Sequence, residues 1–216
     1  MTFTEFIVAI FSYLIGSFPT AYIFGLIKKH KDIRMIGTKN MGALNVYKSI
    51  GPLFGILTLL IDGFKGYLPI YFALRNNFSF LALGICIVMV ISGHNWSIFL
   101  QFHGGKGAST SAGIILALFP KVFLSSFFIF IFLTILTNNV SFGLGVSFLF
   151  LPFLVRLHSY SIGFFYLSFL IPMLGIIRLY PNFVSMLKES NGKFFDMLKI
   201  TLHGFNKYKF NKKDGK

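Results

Sequence analysis

The sequence predicts an all-α integral membrane protein of about seven transmembrane helices, N-terminus outside and C-terminus cytoplasmic. Three observations carry that expectation. Of 216 residues 55% are hydrophobic, with a mean hydropathy of +0.76. Only 12% are charged, about half the share in a soluble domain, so lipid must cover much of the surface. The apolar runs are long and lack the alternation of barrel strands, which leaves helices to cross the lipid.

The first expected span is 3–27. It is a retained helix rather than a cleaved signal, because Glu5 stands where a basic leader region would and Lys28 and Lys29 follow the apolar run. The next spans are 52–74 and 78–98. A short apolar stretch, 108–119, opens directly after a glycine cluster, and 122–137, 140–155 and 159–179 complete the set. Seven crossings put the termini on opposite sides. With the C-terminus inside, 16 of the 20 basic residues fall in inner segments, whereas Arg75, Lys121 and Arg156 are the outer ones and Lys65 lies within a span. Positively charged loops face the cytoplasm, so this bias fixes the orientation. It also accounts for the net charge of +14 without nucleic acid, since the basic residues sit between spans rather than along one stripe. Residues 1–187 read as a single transmembrane domain and 188–216 as a basic cytoplasmic tail. The tail's Phe194, Phe195, Met197, Leu198, Ile200 and Leu202 suit either a surface-lying amphipathic stretch or a solvated anchor. Cys86 stands alone, so it forms no intrachain disulfide.

Polarity placed in or beside lipid marks function, and three clusters stand out, all on the inner side. The first is the loop from Asp32 to Gly51. Gly37, Gly42 and Gly51 allow tight turns, Thr38, Asn40 and Asn45 offer neutral hydrogen-bonding groups, and Arg34, Lys39 and Lys48 bring positive charge. That mixture suits an oxyanion-rich ligand, although an ordinary orienting loop would have a similar composition. The second runs from Gly93-His94 to Gly104-Gly105-Lys106-Gly107, followed by Ala-Ser-Thr-Ser. Gly-Gly-Lys-Gly opening a helix can seat a phosphate on converging N–H groups with a lysine beside them. It lacks the first glycine of a Walker A loop, so ATP hydrolysis is not implied. The third is Asp62-Gly-Phe-Lys65-Gly66. Three residues apart on one helix face, its charges can neutralise each other, or Lys65 can reach the inner site.

Other chemistries are excluded. The five histidines have neither metal-site spacing nor partner carboxylates, so no metal or other cofactor is expected. Only Asp32 and Asp62 lie near the clusters, which disfavours a carboxylate-pair hydrolase. No His-x-x-x-x-Asp stretch occurs, so the usual dyad of acyl-CoA-dependent acyltransferases is missing.

In order and spacing these clusters resemble the bacterial acyl-phosphate-dependent glycerol-3-phosphate acyltransferases of the PlsY type. The matching residues are Gly16-Ser-Phe-Pro, Asp32-Ile-Arg, Gly37-Thr-Lys-Asn-Met-Gly-Ala-Leu-Asn-Val, Asp62-Gly-Phe-Lys-Gly, Gly93-His, Phe102-His-Gly-Gly-Lys-Gly-Ala and Val140-Ser141, ending near Arg178 and Asn182. The resemblance implies transfer of an acyl group from acyl phosphate to the 1-hydroxyl of glycerol 3-phosphate, giving lysophosphatidic acid and phosphate. It implies a multi-pass protein of the bacterial inner membrane, active on the cytoplasmic side, with membrane lipids and an acyl-phosphate-producing enzyme as partners. It assigns catalytic roles to Thr38, Lys48, Lys106 and Asn182. Gly37, Asn40, Gly42, Asn45, Lys65, His94, Gly104, Gly105, Gly107 and Ser141 become substrate-binding residues. The pattern departs from the family at several points. Thr38, Lys39, Leu44 and Lys48 replace the usual Ser, Gly, Thr and Arg, and after Arg178 the family's histidine, glutamate and second arginine are gone. Two competing readings follow: a transporter of an anionic phosphorylated solute, and a non-catalytic relative.

Overall fold

The structure, a computed structural model, describes the backbone of residues 1–189 and the side chains of all but 182, 183 and 185–189. Every regular element among these is helical. Helix α1 (Phe3–Ser17) starts at a capping box: the Thr2 hydroxyl accepts from the Glu5 amide while the Glu5 carboxylate accepts from the Thr2 amide. The same carboxylate accepts from the Ser79 amide at 2.9 Å, tying this end to the start of a later helix. At Phe18-Pro19 the chain breaks, because Pro19 has no N–H to continue the ladder. Helix α2 (Thr20–Lys29) resumes it, and the two make one apolar stretch of 27 residues.

A loop with a 3-10 turn at Ile33–Met35 leads to the short α3 (Ala43–Ser49) and then to α4 (Pro52–Arg75), which opens on proline where a missing N–H costs nothing. Helix α5 (Phe80–Asn95) is the most buried span and runs alongside α1. Helix α6 (Ala108–Leu118) lies against α4 with backbones nearly touching: a Cβ on Gly66 or Gly113 would strike the facing main chain. Helix α7 (Pro120–Thr137) is Phe-rich and only 11% buried, a lipid-facing element. Helices α8 (Val140–Leu149) and α9 (Leu151–Leu157) meet at a 49° bend beside Pro152. Helix α10 (Ile162–Ser168) is followed by α11 (Leu170–Glu189).

Five stretches among the described residues are long and apolar enough to cross, or six if the bent α8–α9 pair counts as one span. Helix α6, over the expected span 108–119, is a shorter apolar helix outside that count: its 11 residues rise about 16 Å against a hydrocarbon core of about 30 Å. The apolar core joins α1, α4, α5, α6, α7, α9, α10 and α11 around Ile87, Ile91, Ile114, Phe119 and Leu151. A second, smaller cluster (Ala21, Ile33, Met41, Val46 and Leu100) sits under the two polar loops. Glu5 and Ser79 mark one end of the bundle, so the C-terminal ends of α1 and α5 lie at the other, where the polar loops gather. The basic tail expected at 188–216 falls outside the described residues but for the final turn of α11.

Candidate active site

The loop between α2 and α3 is built before it can bind anything. Ile33, fully buried, anchors it in the smaller core. Asp32 caps the 3-10 turn through the Arg34 amide at 2.9 Å and pairs with the Arg34 guanidinium at 2.6 Å. That pairing holds the Asp32 carboxyl below the usual carboxylate range and raises Arg34 in turn. Arg34 is therefore neutralised locally rather than available to a ligand. Asn45, 1% exposed, organises the rest. Its amide nitrogen donates to the carbonyls of Ile33, Ile36 and Asn40, at 3.2, 3.1 and 2.9 Å. Its amide oxygen accepts from the Thr38 N–H at 2.8 Å and from the Ser49 hydroxyl at 3.2 Å. Expected as a substrate ligand, Asn45 has no capacity left for one: it is the knot that ties residues 36–40 in place. Gly37 and Lys39 both adopt the left-handed backbone, with φ of 58°, a conformation that costs a non-glycine residue about 1 kcal/mol. Gly42, in extended backbone, packs against the Asn40 side chain.

The glycine-rich loop folds back onto the end of α5. Gly104 N–H donates to the Asn95 carbonyl at 3.1 Å and Gly105 N–H to the His94 carbonyl at 3.0 Å. A helix leaves its last carbonyls without partners, and these two glycines satisfy them. Of the successive N–H groups expected to converge on a phosphate, these two are turned to α5 instead. Gly104 and Gly105 close a helix, and the donors left over belong to Lys106, Gly107 and the first turn of α6. Gly107, at φ 74°, starts α6 without any side-chain cap, leaving that helix end open to an anion. Gly105 fits only because it lacks a side chain: a Cβ there would collide with the His94 imidazole. His94 is thus a buried backing for the loop, not a group reaching into the hollow.

Arg178 of α11 closes the third side. Its Nε donates to the Gly105 carbonyl at 2.8 Å and its Nη2 to the Gly104 carbonyl at 2.9 Å, with the guanidinium 6.0 Å from the Trp96 ring centre. Between these parts lies a hollow of about 240 Å³ lined by Thr38, Lys39, Asn40, Gly104, Lys106, Arg178 and Pro181. Against the roughly 10–15 Å³ of cavity that one water needs, it has room for a phosphate group with several further atoms. Lys106 reaches its rim, where crowding by the protein lowers the ammonium's pKa and the Arg178 charge lowers it further.

The remaining expected site residues are placed elsewhere. Lys65 is buried and donates to Asp62 Oδ1 and to the Phe18 carbonyl, both at 2.5 Å, and Asp62 also accepts from the Thr20 hydroxyl at 3.0 Å. It satisfies the carbonyl freed by the α1–α2 break, with a void of about 10 Å³ between it, His94 and Gly105, at the threshold for one water. Lys48 is exposed on the last turn of α3 and does not line the hollow. Ser141 is exposed in the first turn of α8. Asn182 follows Pro181 on α11, but its side chain lies outside the described ones. Sequence reasoning gave no role to Arg178, although a lone arginine in an otherwise apolar run (170–181) is itself the signal.

Comparison with known proteins shows the family and the overall fold. A family model described as glycerol-3-phosphate acyltransferase matches residues 6–189. A glycerol-3-phosphate acyltransferase of Endomicrobium trichonymphae is 36% identical over 186 residues, covering 85% of this chain and 92% of that protein. Glycerol-3-phosphate acyltransferase 2 of Moorella thermoacetica is 34% identical over 182 residues, covering 84% and 93%. Among solved structures, the glycerol 3-phosphate form of PlsY (YgiH), an integral membrane glycerol 3-phosphate acyltransferase, superimposes with a TM-score of 0.76 at 26% identity, covering 86% of this chain and 93% of that one. Its lysophosphatidic acid form gives 0.75 at 25%, covering 90% and 98%.

Proposed function

This chain belongs to the glycerol-3-phosphate acyltransferase family, and we propose that it transfers an acyl group from acyl phosphate to the 1-hydroxyl of glycerol 3-phosphate. The observation that carries the choice of donor is the hollow itself. It presents lysine and arginine cations beside the open end of α6, and among the described residues its lining holds no Ser, Cys, His or carboxylate side chain. A mixed anhydride already contains a good leaving group, so no covalent enzyme intermediate is required. The acceptor hydroxyl oxygen bonds to the acyl carbonyl carbon and the carbon–oxygen bond to phosphate breaks. The hydroxyl proton passes to a phosphate oxygen, and inorganic phosphate leaves. The protein contributes juxtaposition and charge neutralisation. Lys106 and the α6 amides stabilise the departing phosphate, and Thr38 and Asn40 offer hydrogen bonds to the acceptor.

Residues 1–187 act in this reading as one transmembrane catalytic domain in the bacterial inner membrane. The hollow opens to the cytoplasm, because the basic residues gather at its end of the bundle. An acyl-phosphate-producing enzyme must work upstream, since the donor is a reactive anhydride. The test is lysophosphatidic acid formation by the detergent-purified chain from palmitoyl phosphate, compared with palmitoyl-CoA. Product from the phosphate alone is expected. No product from it, where a family member works, refutes the reading.

A further inference from the structure

We propose that Lys39 grips the phosphate of glycerol 3-phosphate and sets this protein's affinity for its acceptor. The inference rests on the functional reading above and adds to it a residue that reading leaves unused.

The first support is conformational. Lys39 lines the hollow with its backbone in the left-handed region at φ 58°. That region suits glycine or asparagine and disfavours a long side chain. The neighbouring bonds hold it there: Thr38 N–H to Asn45 Oδ1 at 2.8 Å, and Lys39 N–H to the Ile36 carbonyl at 3.0 Å. A lysine needed only for membrane orientation has no reason to occupy such a position, and Lys28, Lys29 and Lys31 already provide charge nearby on ordinary backbone.

The second support is an inventory of cations. Arg34 is paired with Asp32, Lys65 is buried on Asp62 and the Phe18 carbonyl, and Lys48 is off the lining. Arg178 has its Nε and Nη2 engaged by the Gly104 and Gly105 carbonyls. Among the described residues, that leaves two ammonium groups on the hollow without a protein partner, Lys39 and Lys106. The reaction brings two phosphates. Lys106 stands at the open end of α6, where the donor's leaving phosphate is best stabilised. Lys39 is carried by the other loop, next to Thr38 and Asn40, and falls to the acceptor.

The experiment compares wild type with Lys39→Gly, Lys39→Asn and Lys39→Arg, varying each substrate in turn. Gly and Asn tolerate the left-handed backbone, so both variants should fold with thermal midpoints at or above wild type. Both should raise KM for glycerol 3-phosphate by roughly tenfold to a hundredfold, the range for losing one charge-assisted hydrogen bond. The KM for acyl phosphate and kcat should stay within about twofold, and Lys39→Arg should restore most of the acceptor affinity. An unchanged acceptor KM in Lys39→Gly and Lys39→Asn overturns the proposal, as does an equal rise for both substrates. Calorimetric binding of glycerol 3-phosphate to the same proteins separates this from the functional reading. If wild type forms no product, weaker binding by Lys39→Gly still supports the role of Lys39, and equal or absent binding refutes it.

Discussion

Replacing Arg178 by alanine should detach the glycine loop from α11, and the size of the effect follows from the two bonds that hold it. Nε and Nη2 donate to the Gly105 and Gly104 carbonyls at 2.8 and 2.9 Å, across a sequence separation of more than 70 residues. A hydrogen bond from a charged donor contributes about 1.5–3 kcal/mol. Water entering the hollow rehydrates both carbonyls and offsets roughly half of the sum of the two bonds, leaving about 1.5–3 kcal/mol. Because the loop must hold its position in the transition state, the loss appears in kcat/KM, as a fall of about 12- to 150-fold. Arg178→Lys keeps the charge but reaches only one carbonyl, and should lie between the two. Initial rates of lysophosphatidic acid formation measure the first effect. Amide hydrogen exchange at residues 103–107 measures the second, since the Gly104 and Gly105 amides should exchange faster once the loop is released. Rates within threefold of wild type, with unchanged exchange, would refute the clamp.

Three further outcomes follow. Gly105→Ala should lose activity by more than about a hundredfold, because its Cβ strikes the buried His94 ring. Gly175→Ala, with open space around it, should stay active and gain about 0.5–1 kcal/mol; parity between the two variants contradicts the packing argument. Asp62→Asn leaves the Lys65 ammonium buried without its counter-charge and should lower stability by about 3–5 kcal/mol, with the double variant Asp62→Leu/Lys65→Met recovering part of it in detergent thermal melts; a stable single variant falsifies the pairing. For Lys106, whose folded pKa lies below its ordinary value of 10.5, the folded protein binds fewer protons than the unfolded chain between the two values. Stability should therefore rise with pH through that window, and activity requiring the ammonium should be lost as pH rises through a value lower than 10.5. Lys106→Arg should carry the alkaline limb upward, and a coincident limb in both proteins would remove Lys106 from the pH dependence.

The bundle was readable from the sequence because hydropathy and span length act locally. Each apolar run became helical, although 3–27, 140–155 and 159–179 are each divided between two helices and α11 runs on to Glu189. Helix α6 was harder, since a run of 12 apolar and small residues reads alike whether it crosses or stops inside. Only its packing on α4 shows that protein, not lipid, lies against one side. The motifs of the site were visible too, yet composition did not separate ligands from supports. Asn45 and Asn40 are the same residue type five positions apart. One is fully engaged by five hydrogen bonds and the other faces the hollow, a distinction created by the turn at Gly37. Lys65 and Lys106 likewise carry the same charge beside glycines. The α1–α2 break, 47 residues from Lys65, supplies the carbonyl that commits it to structure.

Charge placement links the fold to the chemistry. Among the described side chains the carboxylates are Glu5, Asp32 and Asp62, and each is engaged away from the hollow: by amides at the opposite end, by Arg34 and by Lys65. Among the described side chains no carboxylate offsets Lys39, Lys106 and Arg178 at the hollow. Like charges on one small lining repel, and the Arg178 charge adds to the burial that lowers the pKa of the Lys106 ammonium. In the proposed reaction a phosphate entering the hollow converts that repulsion into attraction, and a second phosphate does so again. The leaving phosphate gains charge as the carbon–oxygen bond breaks, so Lys106 and the α6 amides interact more strongly with it than with the ground state, whereas Lys39 holds the acceptor phosphate alike in both. On that reading binding and acceleration draw on one hollow through different groups.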